Sequence, residues 1–313
     1  MLDLVQVRSF VAVATELHFG RAARRLNMSQ PPLSRQIRLL EEYLGTQLFE
    51  RSSQRVALTA AGRAFLPQAQ SLLTHAGTVE SSARQDGEAV EGSVRLGFFG
   101  TAAFRLLPRI IAAAARQYPR IGFQLREMNA VGQMNAFAFG ELDIGIVRPI
   151  DHPPGLEVQV LMRERMLLAL PRGHRLARGP LRVADLTGQP FIGYSTDAPY
   201  LHQFQTSLFQ ALGIRPDEQH RLAHSPAILS LVGAGLGLAL VTEQARHVAT
   251  EGVEFRPLPL PQDRLALTHL VARPDMRPPV ARIHALIAEV AREVEAETYS
   301  NSDPSMLSPV MRR

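Results

Sequence analysis

Four polar side chains, Gln30, Ser34, Arg35 and Arg38, carry the first chemistry this sequence suggests. Gln30, Ser34 and Arg38 stand four apart with Arg35 beside them, which places them on one face of a helix. That face suits a DNA groove. Glutamine can pair bidentately with adenine, arginine with guanine, and a serine hydroxyl with a base edge or a phosphate. Pro31 and Pro32 occupy the first turn of the same helix, where the missing N–H groups have no intrahelical partner to lose. Further on, 48–51 and 56–58 read as the two short strands of a small β-wing whose tip carries Arg51, Gln54 and Arg55. A wing tip of that composition can reach phosphates or the minor groove.

A second group of residues could hold a small anion. Gly100-Thr101-Ala102-Ala103 follows an apolar strand and opens a helix, so its free N–H groups and the Thr101 hydroxyl could receive a carboxylate. Arg148 ends the strand 142–147, from which its guanidinium could clamp the same anion. Ser195 and Thr196 follow the short strand 191–193, with Pro199 and Leu201 as an apolar wall. Each has a plainer alternative: Thr101 as a helix cap, Arg148 as a solvated loop residue.

Other chemistries find no support. The chain has no cysteine, which removes disulfides, thiolate metal sites and thiol redox sensing together. Its ten histidines show no metal-ligand spacing, so no metal and no cofactor are expected. Ser195 sits in no G-x-S-x-G elbow, and His174 and His202 have no evident catalytic partner. Gly233-Ala234-Gly235-Leu236-Gly237 follows a helix instead of a strand, so it reads as a tight turn and not a nucleotide loop. An enzyme is not expected.

These residues need elements to position them. Val7, Phe10, Ala14 and Leu17 predict a first helix over 4–17, and Phe19, Ala22, Ala23 and Leu26 a second short one. Ser29 is placed to cap a third, which buries Leu33, Ile37, Leu40 and Leu44 and ends at Gly45. Two helices joined by a short turn, the second turning polar tips outward, form a helix-turn-helix. Thr59 can cap a further helix, in which Phe65, Ala69, Leu72, Ala76, Val79 and Ala83 step by 4, 3, 4, 3, 4. That is a heptad seam and predicts a dimer, hence a partly palindromic operator. Pro67 should kink this helix or pin its start. From residue 93, strands alternate with helices, which implies a mostly parallel sheet covered on both faces.

The 313 residues suggest two domains. The net charge of +5 is weak support for nucleic acid, because every basic residue is arginine, a pattern that codon usage also produces. No run of 18 apolar residues and no signal-peptide pattern is present, so a cytoplasmic protein with no membrane partner is expected.

The string Phe19-Gly20-Arg21-Ala22-Ala23-Arg24-Arg25-Leu26, then Ser29-Gln30-Pro31-Pro32-Leu33-Ser34-Arg35-Gln36-Ile37, then Leu39-Leu40-Glu41, Leu44-Gly45, Leu48-Phe49-Glu50-Arg51 and Leu58-Thr59-Ala60-Ala61-Gly62 closely resembles the LysR-type transcriptional regulators. The resemblance spans about residues 1–295. It implies an α/β protein with a winged helix-turn-helix at 1–59 and a linker helix and hinge at 60–91. An effector domain follows at 92–298, two-lobed like type II periplasmic binding proteins. Lobe 1 would hold about 92–162 and 268–298 and lobe 2 about 163–267, with 299–313 a disordered tail. It also implies double-stranded DNA and a small effector as partners, a homodimer through the linker helix, a homotetramer, and RNA polymerase where the protein activates.

The effector domain most resembles the benzoate- and muconate-responsive branch, through Val94-Arg95-Leu96-Gly97-Phe98, Leu106-Leu107-Pro108-Arg109-Ile110-Ile111 and Arg126-Glu127-Met128. That resemblance puts Thr101, Ala102, Ala130 and Arg148 at effector-contact positions and implies an aromatic acid or ring-cleavage carboxylate. Ala130 stands where the branch often has a hydroxyl residue, which points to a less polar or a different acid. The alternative function, a solute-binding protein, fits only the second half of the chain.

Overall fold

The computed structural model describes residues 2–51, 56–83, 92–248, 250–260 and 264–300. Gln54 and Arg55 of the expected wing tip, the hinge after residue 83 and the tail from 301 on lie outside the described residues. Residues 299 and 300, placed in that tail by the sequence, continue the last helix.

Helix α1 (Leu4–Glu16) starts at Asp3, whose carboxylate accepts from the Val5 amide at 2.8 Å. It buries Val7, Phe10 and Ala14 as expected. Leu17 is instead its exposed C-cap, with φ 45°, because the helix ends one residue before the spacing does. Helix α2 (Phe19–Arg25) is capped by His18, whose Nδ1 accepts from the Arg21 amide at 3.3 Å. Helix α3 (Gln30–Leu44) buries Leu33, Ile37 and Leu40 completely and ends at Gly45, φ 66°.

Ser29 holds the N-cap position of α3 but makes no capping hydrogen bond. The cause lies two and three residues on. A capping side chain accepts from the second and third amides of the helix, and here those residues are Pro31 and Pro32, which have none.

The wing pairs β1 (Phe49–Arg51) antiparallel with β2 (Val56–Leu58). Glu41 of α3 holds it down, accepting from the Leu48 and Phe49 amides at 2.9 and 3.2 Å. Phe10, Phe19, Phe49 and Phe65 form one aromatic cluster beneath it, with ring centroids 5.1 to 6.1 Å apart.

Helix α4 (Ala60–Ala83) is continuous through Pro67. Thr59 starts it, accepting from the Gly62 amide at 2.9 Å. The heptad positions divide between two environments. Phe65 and Ala69 pack into the core with α1, whereas Leu72 and Val79 are exposed.

The α/β part has two lobes. Lobe 1 carries a five-stranded sheet in the order β4 (Ile121–Glu127), β3 (Gly92–Phe98), β5 (Ile144–Val147), β12 (Ala266–Ala272), β6 (Glu157–Glu164). Helices α5 (Leu106–Gln117), α6 (Ala130–Ala138) and α9 (Pro278–Ser300) accompany it, and a short 3-10 turn at Gly100–Phe104 precedes α5. In lobe 2, β7 (Met166–Pro171) pairs antiparallel with β10 (Ala239–Thr242) and β11 (Val253–Pro257). Strand β8 (Pro190–Tyr194) runs parallel to β9 (Asp217–Leu222), and the bridge between Phe191 and Leu238 ties this pair to β10. Helices α7 (Pro199–Leu212) and α8 (Ser225–Gly233) complete the lobe.

The sheets are mixed, where the alternation of elements implied mostly parallel ones. Strand β12 returns from lobe 2 and runs antiparallel to both β5 and β6. The chain crosses between lobes after Glu164 and again before Ala266, where Ala266 pairs with Glu164 and Leu267 with Arg163.

Lobe 1 also touches the N-terminal half. Ala138, the last residue of α6, and Phe139, its C-cap, share a hydrophobic cluster with Ala69 and Leu73 of α4 and with α1. The Arg25 guanidinium lies over the Phe139 ring at 4.5 Å. Gly140 (φ 65°) backs so closely on α4 that a Cβ there would lie 2.4 Å from the Thr74 Cα, so only glycine fits. Arg95 and Asp143 also form a buried ion pair at 2.7 Å, and Arg277 adds a second cation to Asp143 at 3.3 Å.

Candidate functional site

The polar face of α3 is open. Gln30, Pro31, Pro32, Arg35 and Arg38 are exposed and Ser34 is half-buried. Arg35 and Arg38 form no ion pair among the described residues, so both guanidinium groups are free to meet an anion. Two arginines of α2 are already engaged, because Glu16 takes Arg25 at 3.0 Å and Arg21 at 3.4 Å, whereas Arg24 is exposed with no ion pair among the described residues. Arg51 is the last residue of β1, paired with Val56 at the end of the ladder away from the wing's base.

The second candidate is a cleft of about 420 Å³ between the lobes. Of the residues singled out in the sequence, Thr101, Ala130, Arg148, Pro199 and Leu201 line it. Ala102 is buried in the core of lobe 1 and is not among the lining residues. Ser195 and Thr196 are not among them either. Ser195 turns toward Asp197, with its hydroxyl 3.5 Å from the carboxylate, and Thr196 is exposed.

Thr101 is the more available of the two polar candidates. It is 7% exposed, and its hydroxyl has no hydrogen-bond partner among the described residues. It lies in the 3-10 turn without capping it, since that turn's N-cap is Phe99.

Arg148 is committed elsewhere, contrary to the clamp expected from its place after β5. Its Nη1 donates to Glu164 Oε2 at 2.6 Å, to the Leu267 carbonyl at 3.0 Å and to Thr268 Oγ1 at 3.0 Å. Its Nη2 donates to Thr242 Oγ1 at 3.3 Å, and the guanidinium stacks on Phe99 at 4.6 Å. Only Nε is left without a partner. The physical reason is that Glu164 is buried at the crossover and needs a cation there. Glu164 also accepts from the Gln244 amide at 3.2 Å, so Arg148 and Glu164 together join β5, β6, β10 and β12.

Sequence reasoning missed several lining residues: Glu127, Met128, Asn129, Asp197, Tyr200, His224 and Ser225. Tyr200 was legible only as the residue between Pro199 and Leu201. Its hydroxyl accepts from the Leu267 amide at 2.8 Å, connecting the cleft wall to the crossover strand, and burial raises its pKa. Tyr194 lies wholly inside lobe 2, bonded to Ser225 at 2.8 Å, and burial pushes its pKa up to about 12. Helices α7 and α8 both start at the cleft, and neither N-cap side chain makes a capping bond. Among the described residues, no group of histidine, aspartate and glutamate could hold a metal ion, and no helix is long and apolar enough to cross a membrane.

Known proteins align with both halves. Residues 4–63 match the model of the bacterial regulatory helix-turn-helix protein, lysR family, and residues 87–295 match the LysR substrate binding domain. The chain is 33% identical over 259 residues to the HTH-type transcriptional regulator AlsR of Bacillus subtilis, covering 82% of this chain and 86% of that one. It is 32% identical over 276 residues to the HTH-type transcriptional regulator BenM of Acinetobacter baylyi, covering 87% and 90%. Full-length BenM superposes with a TM-score of 0.57 over 97% of this chain and all of that one. CbnR, a LysR family transcriptional regulator, superposes with a TM-score of 0.61 at 27% identity over 93% and 99%. CbnR complexed with its target DNA gives 0.56 at 28% identity over 93% of this chain and 100% of that one. An open arginine-bearing face on α3, a two-lobed domain with a cleft, and family models over both halves converge: the chain belongs to the LysR family, as a DNA-binding transcriptional regulator with an effector-binding domain.

Proposed function

We propose that a small organic acid with an apolar body, aromatic or derived from ring cleavage, binds between the lobes and changes how the protein holds its operator. The observation that carries this reading is the position of α6. Its N-cap Asn129 and first residue Ala130 line the cleft, and the residues after its end, Phe139 and Gly140, press on Arg25 and Thr74. Nine residues of helix, roughly 13 Å at 1.5 Å per residue, thus separate the ligand from the DNA-binding half. A ligand that binds one lobe arrangement more tightly than the other shifts that helix, and the DNA-binding half follows.

The unpartnered Thr101 hydroxyl supports an acid, and the apolar lining by Phe99, Met128, Pro149 and Leu201 supports its apolar body. Gln30, Pro31, Pro32, Ser34, Arg35 and Arg38 would face the major groove, with Arg51 toward the backbone. The exposed Leu72 and Val79 of α4 would pair two copies, and two such pairs a tetramer, on a partly palindromic operator in the cytoplasm. An activator of this kind would also contact RNA polymerase.

Operator affinity, measured by fluorescence anisotropy with and without aromatic and ring-opened acids, tests the reading. A several-fold change with one acid is expected. Identical operator affinity under every acid that binds the protein would sink it.

A further inference from the structure

The free charges of the cleft are negative, and that narrows the ligand beyond a simple acid. Arg148 is the one arginine among the lining residues, and its two Nη atoms are occupied by Glu164, Thr268, Thr242 and the Leu267 carbonyl. Glu127, at the end of β4 on lobe 1, has no ion-pair partner among the described residues. Asp197, before α7 on lobe 2, has only the distant Ser195 hydroxyl. A carboxylate therefore stands on each wall with no cation to meet it. The other titratable side chains of the lining are Tyr200, whose hydroxyl accepts from the Leu267 amide, and His224, which makes no side-chain hydrogen bond among the described residues.

The same cleft also has donors without acceptors. Thr101 is more than nine-tenths buried, and its hydroxyl is unpartnered among the described residues. The starts of α7 and α8 present uncapped amides, at Tyr200 and Leu201 and at Ser225, with the positive ends of both helix dipoles. Those donors suit one carboxylate. A dicarboxylate would set its second anionic end against Glu127 and Asp197, where like charges repel. A plain amine would leave Thr101 and the helix starts unmatched.

Resting on the reading above that a small acid with an apolar body binds between the lobes and switches operator binding, but replacing its aromatic or ring-cleavage class, we infer that the ligand is amphoteric: an α-amino acid or similar amino-carboxylate with an apolar side chain. Its carboxylate meets Thr101 and the starts of α7 and α8. Its ammonium meets Glu127 and Asp197. Its side chain lies against Phe99, Met128 and Leu201. The volume of about 420 Å³ falls in the range of small-molecule sites, roughly 300–1,000 Å³.

Matched sets test this on the full chain by isothermal titration. One set is L-phenylalanine, 3-phenylpropionate and phenethylamine. The other is L-leucine, 4-methylpentanoate and isoamylamine. In at least one set the amino acid should bind tenfold or more tighter than both its acid and its amine. Glu127→Gln with Asp197→Asn should erase the advantage over the acid, since both side chains are exposed and the exchange keeps their shape. Equal or tighter binding of the acid, no binding by either amino acid, or an advantage that survives the double variant would each overturn the inference. An acid that binds and alters operator affinity would do so while leaving the effector reading intact. An amino acid that binds without altering operator affinity would overturn that reading alone.

Discussion

Arg148 Nη1 and Glu164 Oε2 meet at 2.6 Å where the chain passes between lobes, both side chains more than nine-tenths buried. The arginine therefore neutralises a buried carboxylate before it can serve a ligand. Removing one partner of such a pair leaves an uncompensated charge. Arg148→Ala should lose about 3–5 kcal/mol of stability. Urea denaturation measures this, and the apolar pair Arg148→Met with Glu164→Leu should recover most of the loss. A fully stable Arg148→Ala protein would show that the pair carries no such burden.

Glu243 is buried beside this junction, and desolvation raises its pKa. One of its oxygens, Oε2, has no hydrogen-bond partner. A carboxyl with a raised folded-state pKa favours folding while protonated. That contribution is full at acid pH and is lost as pH climbs past the unfolded value, near 4.3, and then the folded one. Glu243→Gln should accordingly be more stable than the parent at pH 8, with the gap closing toward pH 4. Thermal melts across that range check the slope, and a gap that widens on acidification would contradict it.

Phe139 couples the lobes to the DNA-binding half through its contact with Arg25. Phe139→Leu keeps the apolar volume but removes the ring. It should cost roughly 0.5–2 kcal/mol of that contact. The change in operator affinity on adding ligand should shrink, while ligand affinity measured without DNA stays within a few-fold. Anisotropy titrations in both directions read the coupling, which must be reciprocal.

Arg35 is exposed and unpaired on the reading face. Arg35→Ala should weaken operator binding by about 1–3 kcal/mol if the guanidinium takes a guanine bidentately. Binding to random-sequence DNA should fall much less. Equal losses on both would make Arg35 a phosphate contact instead.

Leu72 and Val79 leave an apolar strip of α4 exposed in the single chain. Charged replacements, Leu72→Glu with Val79→Glu, should shift the protein toward monomer in sedimentation velocity runs at micromolar concentration. An unchanged oligomer would place the contact elsewhere.

The DNA-binding half was nearly complete in the sequence because local spacing decides it. Leu33, Ile37 and Leu40 are one helix apart in pattern and one core in space. Where it misled, at Ser29 and Leu17, the deciding fact was a neighbour: two prolines without amides, or a helix that stops early. The α/β half was legible as alternating elements but not as pairings. Strand β12 lies between β5 and β6 although about a hundred residues separate it from either, and no local signal reports its direction. Strand β9, Asp217–Leu222, is polar and mostly exposed, so it carries no apolar alternation to find. For the same reason Arg148 looked free: its partners Glu164, Thr242 and Thr268 come from three other strands. Thr101 was legible because it follows a strand end, where clefts in such sheets open, whereas Ala130 came only from the resemblance to the benzoate- and muconate-responsive branch.

The placement of β12 has a consequence for synthesis. The ribosome delivers β3 to β6 first, then all of lobe 2, and only afterwards the strand that joins β5 to β6. Lobe 2 emerges uninterrupted between the two crossings and can close its sheet while lobe 1 still has a gap in its own. A nascent chain stalled before residue 266 would thus hold a finished second lobe beside an open first one, with the edges of β5 and β6 unpaired. The cleft between the lobes, which needs both walls, is among the last parts of the molecule to come into being.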